Sequence, residues 1–390
     1  MNILILIDVY SKFPMGGAGT VLLETAKTFR AAGHSVLVLC RRRRDIGDYE
    51  FIEGVPFWTF NAEEEGLRGA ARLWGAYRKN CQAALAGRRW DVILCHHPLP
   101  LWSVGRELPQ AIPVVSLFHS PWPEEYRLMQ GDGASGMGCF LRTWIEREAL
   151  ARSDRIVTLS RYMGDDAARR YPACAGKIDV VPGGVNLERF SFQVDPLAAR
   201  AGLGLPWDPG GFWVLTIRRH VPRTGIDSLL AAVARIAPDA PDLRLVVGGT
   251  GPLEPAYRRQ AETLGIADRV HFTGFLPTER LPGFYGAADL FVLPSRNLEG
   301  FGLSTVEAMA TGTPALVTPV GGAPEVVAPF DGRLVAAGWD EAAIAHALLA
   351  WHARRDALRK MRSACRRYAE ERFSWDMMRA GLEKTFAAVL

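Results

Sequence analysis

Short apolar runs alternate with amphipathic stretches from the first residues of the chain. Asn2 to Val9 is apolar and rich in β-branched side chains, the pattern of a strand buried on both faces of a parallel sheet. A glycine-bearing loop follows, Phe13-Pro14-Met15-Gly16-Gly17-Ala18-Gly19. Val21, Leu22, Thr25, Ala26 and Phe29 then recur at helical spacing, and Gly33 ends that helix. Residues 35–39, 92–95, 114–118, 156–159 and 178–181 read as further strands, with helical stretches between most of them. Over 191–211 the alternation lapses into Asp195-Pro196, Gly202, Gly204, Pro206, Pro209, Gly210 and Gly211, the composition of a linker. A second series then begins. Its strands are expected at 213–217, 244–248, 270–273, 290–293 and 315–318, and its helices at 225–236, 253–264 and 303–310. Helices at 340–352 and 355–371 follow, then a break at Phe373-Ser374 and a last segment from Trp375 to Leu390. This alternation predicts an α/β protein with parallel sheets covered on both faces. The expected domains are 1–190 and 212–373, joined by a linker at 191–211.

Composition narrows the class. At 390 residues the chain is too long for one typical α/β domain and suits two. Hydrophobic residues make up 48% and charged residues 23%, as in folded proteins with sizeable cores. Residues 1–190 hold 24 Lys and Arg against 21 Asp and Glu, and the remainder holds 22 against 21. Neither half is therefore a basic nucleic-acid module. The six cysteines, at 40, 81, 95, 139, 174 and 365, show no C-x-x-C spacing and no grouping with histidines. That argues against a zinc site or a disulfide framework and fits a reducing cytosol. The first residues lack the basic region and the length of a secretory leader. No apolar stretch approaches the roughly 18 residues of a spanning helix.

The sharpest chemistry lies in Pro294-Ser295-Arg296-Asn297-Leu298-Glu299-Gly300-Phe301-Gly302-Leu303-Ser304-Thr305-Val306-Glu307-Ala308-Met309. Glu299 falls in a loop after a strand, and the helix starts near Gly302. Free N–H groups and the dipole at that helix start suit a phosphate. Glu307, about one turn in, can accept two hydroxyls of a ribose. A carboxylate beside a polyol and next to an anion cradle describes a sugar-nucleotide pocket. A surface helix that happens to begin with two acids would show the same spacing.

The flanking segments resolve that ambiguity. Val181-Pro182-Gly183-Gly184-Val185-Asn186, Leu187-Glu188-Arg189-Phe190, Phe272-Thr273-Gly274-Phe275-Leu276 and Ala288-Asp289-Leu290-Phe291-Val292-Leu293-Pro294-Ser295 precede or open the acidic segment. Gly312-Thr313-Pro314 and Gly321-Gly322-Ala323-Pro324-Glu325 follow it. In this order and at these separations, over nearly the whole chain, the set resembles the retaining glycosyltransferases of family 4. The resemblance implies a GT-B fold, in which two facing Rossmann-like domains flank an interdomain cleft, and a last helix, 375–390, that packs back on the N-terminal domain.

It also implies roles. Glu307 would hold the donor ribose, and Glu299 would contact hydroxyls of the transferred sugar. Backbone N–H groups of Phe301, Gly302 and Leu303 would hold the sugar and distal phosphate. Phe275 and Leu276 would meet the base. Gly16 and Gly17 match the N-terminal glycine loop, where close approach to a diphosphate needs a missing Cβ. His119, at the end of a strand in Leu117-Phe118-His119-Ser120-Pro121-Trp122, would face the donor sugar; His96 and His97 end the preceding strand and are candidate acceptor-side groups. In Thr216-Ile217-Arg218-Arg219-His220-Val221-Pro222-Arg223-Thr224-Gly225, Arg219 is taken as the arginine of the diphosphate-binding stretch. The lysine usual before the glycine is Thr224 here, so Arg223 is the candidate replacement cation, with Thr224 donating its hydroxyl or capping the helix.

The resemblance implies a sugar moved with retention from a nucleoside diphosphate sugar, UDP first and GDP second, with no metal and no other cofactor. The acceptor stays open among a lipid-linked saccharide, a small metabolite and an antibiotic precursor. A nucleotide-sugar epimerase of the same architecture and a non-catalytic sugar-nucleotide-binding subunit are the alternatives. The first loop lacks a clean G-x-G-x-x-G and no acid ends the second strand, which disfavours a dinucleotide dehydrogenase. Residues 66–90 carry Arg68, Arg72, Arg78, Lys79, Arg88 and Arg89 and no acid, interleaved with Leu67, Trp74, Tyr77 and Trp90, and Arg41 to Arg44 lie nearby in sequence. Such a stretch either rests on an anionic membrane from the cytoplasmic side or packs as a helix with a solvated basic face.

Overall fold

The structure, a computed structural model, describes residues 1–9, 16–42, 48–61, 66–105, 108–193, 195–205 and 210–390. Two compact units emerge: residues 1–183 with 375–390, and residues 184–374.

The first unit is built on an eight-stranded sheet. Its strands are β1 (Asn2–Val9), β2 (Ser35–Arg41), β3 (Tyr49–Ile52), β4 (Val55–Phe60), β5 (Val92–Cys95), β6 (Val114–Phe118), β7 (Arg155–Thr158) and β8 (Ile178–Val180). They lie in the order β3-β4-β2-β1-β5-β6-β7-β8. All neighbours are parallel except the β3/β4 hairpin. That hairpin escapes the apolar-run reading, yet its signal is present. Glu53 and Gly54 both take positive φ, 46° and 81°, the two-residue turn whose twist matches the strands it joins.

The second unit carries β9 (Phe212–Ile217), β10 (Leu243–Gly248), β11 (Val270–Gly274), β12 (Leu290–Leu293) and β13 (Ala315–Val317), all parallel, in the order β11-β10-β9-β12-β13. Because every strand of this sheet runs the same way, the loops after β9, β11 and β12 leave from one edge, the edge where ligands bind in such sheets. The central strands are continuously apolar and buried on both faces, as Val214, Leu215, Phe291 and Val292 show.

The boundary falls at Gly183/Gly184, ahead of the expected 190, and the expected linker is partly structured. Pro196–Leu203 is a helix, capped by Asp195 and ended by Gly204 at φ 67°. Its Arg200 is buried and ion-paired to Asp289 at 2.6 Å, so this segment belongs to the core of the second unit. Proline and glycine here mark the ends of a short helix, which composition alone reads as a loop.

The last helix, Trp375–Ala387, is part of the first unit. It packs on the helix Gly17–Ala31: Phe386 stacks on Phe29 at 5.6 Å, and Thr25 Oγ1 donates to Met378 Sδ at 3.8 Å. His34 Nε2 lies 2.9 Å from Glu383, and a Cβ on Gly381 would come within 2.6 Å of Val181. The basic stretch forms the helix Gly66–Ala86. Leu73, Tyr77 and Trp90 are buried in the core, while Arg72, Lys79 and Trp74 face out, with Arg78 stacked over Trp74 at 4.5 Å. Of the interleaved apolar residues whose side chains are described, Tyr77 and Trp90 thus serve the core and Trp74 does not. Arg43 and Arg44 lie outside the described residues. Among the described residues no helix is long and apolar enough to cross a membrane.

Candidate functional site

In the second unit, β9 and β12 lie side by side, and the loops leaving them are tied together. Arg296 N donates to Arg223 O at 2.9 Å, and Arg223 Nη1 donates to Leu298 O at 3.0 Å. Gly225, at φ 71°, starts the helix Ile226–Ile236, and a Cβ there would sit 1.8 Å from Pro294 O. Only glycine allows this approach. Leu298 takes φ 48°, an uncommon value for a branched residue, one position before Glu299. On the other side, Gly321 presses against Glu299 O, where a Cβ would approach to 1.9 Å, and Gly322 N donates to that oxygen at 2.8 Å. The glycines flanking the acidic segment therefore fix its path.

This framework holds the Glu299 carboxylate among cations. Arg218 Nη2 donates to Glu299 Oε2 at 2.6 Å, Ser295 Oγ donates to the same oxygen at 2.8 Å, and Arg218 Nη1 reaches Ser295 Oγ at 2.5 Å. Burial pushes the Glu299 carboxyl up, but the Arg218 and Arg223 guanidiniums more than offset it, so its pKa lies below the ordinary value. Glu307 sits in the helix Leu303–Ala310, where Tyr285 Oη donates to its Oε2 at 2.8 Å. Gly302 takes φ 87° as the residue before that helix; Thr305 N donates back to Gly302 O at 2.9 Å, while the N–H groups of Leu303 and Ser304 have no carbonyl a turn earlier. Phe301 is buried against Phe373 at 5.8 Å, Leu303 is half-buried, and Leu276 is buried. Phe275, just past the end of β11, is 47% exposed.

One sequence expectation changes, and one residue joins the site. The arginine that meets Glu299 is Arg218; Arg219 is exposed. Successive side chains in extended backbone alternate in direction, so with Arg218 turned to Glu299 and Ser295, Arg219 points the other way. Thr224 neither caps the helix nor offers its hydroxyl outward. The side chain is buried, and its Oγ1 lies 2.7 Å from Val221 O and 3.0 Å from Arg219 O, so it closes its own turn. Ser295 and Tyr285 were not singled out from sequence. Ser295 lies within the matched segment, whereas Tyr285 is 22 residues from its partner and carries no local signal.

The first unit presents a second group. Its cavity of about 100 Å³ is lined by residues that include His96, His97, His119, Ser120, Trp122, Glu125 and Glu146. His96 and His119 end neighbouring strands β5 and β6, and His96 Nδ1 lies 3.2 Å from His119 Nε2. Burial, then the neighbouring His97, pushes the His119 pKa down to about 4; burial, then His119, pushes His96 well below its ordinary value. Both rings are therefore neutral at pH 7. His97 instead caps the helix Pro98–Val104, accepting from Leu99 N at 3.3 Å, and packs edge-on to Trp122. Glu146 is buried; its Oε1 accepts from Trp122 N at 3.0 Å and its Oε2 from Tyr171 Oη at 2.5 Å. Burial outweighs these bonds and pushes its carboxyl up to about 7. Gly16 precedes the helix Gly17–Ala31 with φ −84°, and a Cβ there would meet nothing. Its own packing does not require glycine. Gly17 is exposed, and residues 13–15 of the glycine loop lie outside the described residues. Among the described residues no three His, Cys, Asp or Glu side chains are grouped to hold a metal ion.

Comparison with known proteins places this geometry. Residues 205–372 match the family described as "Glycosyl transferases group 1", and residues 15–189 match "Glycosyltransferase Family 4". The chain is 38% identical over 256 residues to a D-inositol 3-phosphate glycosyltransferase of Streptomyces avermitilis, a match covering 63% of this chain and 54% of that protein. It is 32% identical over 409 residues to the enzyme of that name from Streptomyces griseus, covering 96% and 85%. The chain thus spans about half the length of the first relative and most of the second. In fold it is similar to a sucrose-phosphate synthase from Thermosynechococcus elongatus, with a TM-score of 0.83, 24% identity and coverage of 100% and 98%. The paired parallel-sheet units, the glycine-framed acidic segment and these matches agree: the chain belongs to the group 1 glycosyl transferases, family 4, and has the GT-B fold.

Proposed function

We propose that the protein transfers a sugar from a nucleoside diphosphate sugar, bound by the second unit, to an acceptor bound by the first. The observation that carries this reading is the Glu299 carboxylate clamped by Arg218 and Ser295 beside the start of the helix that carries Glu307. Glu307 takes the ribose hydroxyls, the first-turn N–H groups take the distal phosphate, and Glu299 stabilises positive charge on the sugar. Arg218 and Arg223 supply the two cations that oppose charge building on the leaving diphosphate. Arg223 then replaces the missing lysine, and Arg219, exposed one residue on from Arg218, is the further arginine at the diphosphate. Gly16 and Gly17 leave room for the diphosphate, Phe275 and Leu276 contact the base, and neutral His119 hydrogen-bonds the transferred sugar. The reaction retains configuration, with the leaving phosphate oxygen assisting the acceptor on the same face. UDP is the first choice of base and GDP the second, no metal is required, and the protein works in the cytoplasm.

Incubation of the protein with UDP- and GDP-sugars, with and without EDTA, tests this. Slow release of the nucleoside diphosphate that survives EDTA, and is lost in Glu299→Ala, is the expected result. No release from any donor would reject the activity, and release that depends on added Mg²⁺ would reject leaving-group stabilisation by arginine alone.

A further inference from the structure

The helix Gly136–Arg152 changes character along one face. Met137, Phe140, Leu141 and Trp144 recur there at the spacing of a single helical stripe. Met137 is 75% exposed, Phe140 67% and Leu141 48%, while Trp144 is half-buried with its ring on Trp102 at 5.4 Å. The next turn of that face carries Arg147 and Glu148, both exposed and paired at 3.2 Å. The preceding helix, Trp122–Gln130, carries Met129 in its last turn, 67% exposed. Residues 126–144 hold only three charged residues, Arg127, Asp132 and Arg142. Arg127 is paired to Glu124, and Arg142 lies over the rings of Tyr126 and Trp122. The helical hairpin therefore has an apolar tip and a charged stem.

The tip stands beyond the strand ends. Glu146 Oε1 accepts from Trp122 N at 3.0 Å, just past the end of β6. From there the helix runs back to the start of β7, so its earlier residues lie away from the sheet. At the helical rise, Phe140 and Met137 are roughly 9 and 13 Å further out. The helix Gly66–Ala86 reaches the same edge. Its Leu73 and Tyr77 share one core cluster with Leu101 of Pro98–Val104 and Ala149 of Gly136–Arg152, so the three helices lie on one face of the sheet. Tyr77 Oη donates to Asp8 O at 2.9 Å, near the end of β1, and Arg72 and Trp74 precede it. Arg72, Trp74 and Lys79 are exposed. Glu63 to Glu65 lie outside the described residues, but even with them residues 63–90 hold six cations against three acids.

We propose that this edge of the first unit docks on the surface of an anionic lipid bilayer. Met137, Phe140 and Leu141 enter the boundary between headgroups and acyl chains, and Arg72 and Lys79 meet lipid phosphates. The step from apolar tip to charged stem follows the step from acyl chain to water, and the cations beside the tip complement anionic headgroups. Area disfavours a second copy of the chain. At roughly 200 Å² per residue, the four exposed tip residues leave on the order of 500 Å² uncovered, large for a free patch but short of the about 800 Å² per partner of a stable dimer. His96 and His119 end β5 and β6 at this edge, so docking brings the candidate acceptor side to the bilayer. The docking itself does not rest on the transferase reading.

Co-sedimentation of the full chain with vesicles of phosphatidylcholine, alone or mixed with phosphatidylglycerol, tests the proposal. The chain should bind the mixed vesicles, and phosphatidylcholine alone at least about tenfold more weakly. Replacing three exposed side chains, in Met137→Ser with Phe140→Ser and Leu141→Ser, should leave Tm nearly unchanged. Binding to the mixed vesicles should then fall at least about tenfold. Arg72→Glu with Lys79→Glu should cause a similar loss and flatten the dependence on salt. Sedimentation velocity without lipid reads the other occupant, a second copy. No binding to the mixed vesicles, equal binding to the two kinds of vesicle, binding unchanged in the serine variant, or a dimer that the serine variant dissolves would each overturn the proposal.

Discussion

Arg218→Ala is the most informative single change. Its guanidinium is 8% exposed and pairs with a Glu299 carboxylate that is 12% exposed. Removing one partner of a buried pair leaves the other charge uncompensated, a loss of about 3 kcal/mol or more. Arg219→Ala, one residue on and exposed, should cost no more than about 0.5 kcal/mol. Because the chain holds two units, the loss is best read by hydrogen exchange at the amides of β9 and β12, which reports opening of the second unit alone. Removing both charges in Arg218→Ala with Glu299→Ala should recover much of the loss, for a coupling energy of about 2 kcal/mol. The pH dependence follows from the direction of the Glu299 shift. Its folded pKa lies below the ordinary value of 4.5, so the stability it contributes is present above about 4.5 and is lost as pH falls through the folded value. In Arg218→Ala burial is no longer offset to the same extent, the carboxyl titrates higher, and the penalty should shrink in acid as it protonates. Equal losses in the Arg218 and Arg219 variants, or a coupling below about 0.5 kcal/mol, would refute the inward assignment of Arg218.

Glu307→Ala should mainly weaken binding of the nucleoside diphosphate, since ribose bonds exist in ground and transition states alike, whereas Glu299→Ala should mainly lower kcat; calorimetry and steady-state kinetics separate the two, and equal affinity losses would contradict the division. Glu146→Gln should gain stability relative to wild type as pH rises from about 4.5 to about 7. The buried carboxyl titrates near 7, so across that window the native state holds its proton while the unfolded chain ionises, which costs the wild type up to about 3 kcal/mol. The depressed His119 pushes stability the opposite way with pH, so the informative quantity is the difference between variant and wild-type curves, and a flat difference would rule out the raised carboxyl. Phe386→Ala, which empties a fully buried site stacked on Phe29, should cost about 3–5 kcal/mol in the first unit; a loss below 1 kcal/mol, read from exchange at β1, would mean that the last helix is not anchored there.

Much was legible along the chain because its signals are local. Buried parallel strands are continuous apolar runs, so β1, β5, β6 and β12 could be bounded from sequence. The glycines at 225, 302 and 321 stand where backbone approaches backbone or φ turns positive, so they mark the site in one dimension. Other features depend on which way a side chain points, and which partner meets it, once strands have registered. Arg218 and Arg219 are adjacent and chemically identical, and only the folded path of the loops after β9 and β12 decides which reaches Glu299. Thr224 reads as a lost phosphate contact, but burial turns its hydroxyl onto carbonyls of its own loop. Tyr285 and Glu146 carry no motif: one meets Glu307 across 22 residues, the other meets Tyr171 across 25. Proline and glycine at 195–211 suggested a linker because composition records helix ends and loops alike, while the burial of Arg200 is a property of the folded unit. The sequence by itself determined the element types, the family and the place of the acidic segment, since each rests on neighbours in the chain. The tertiary structure alone decided which charges meet and which rings lose their protons. Those follow from desolvation and from distances between residues far apart in sequence.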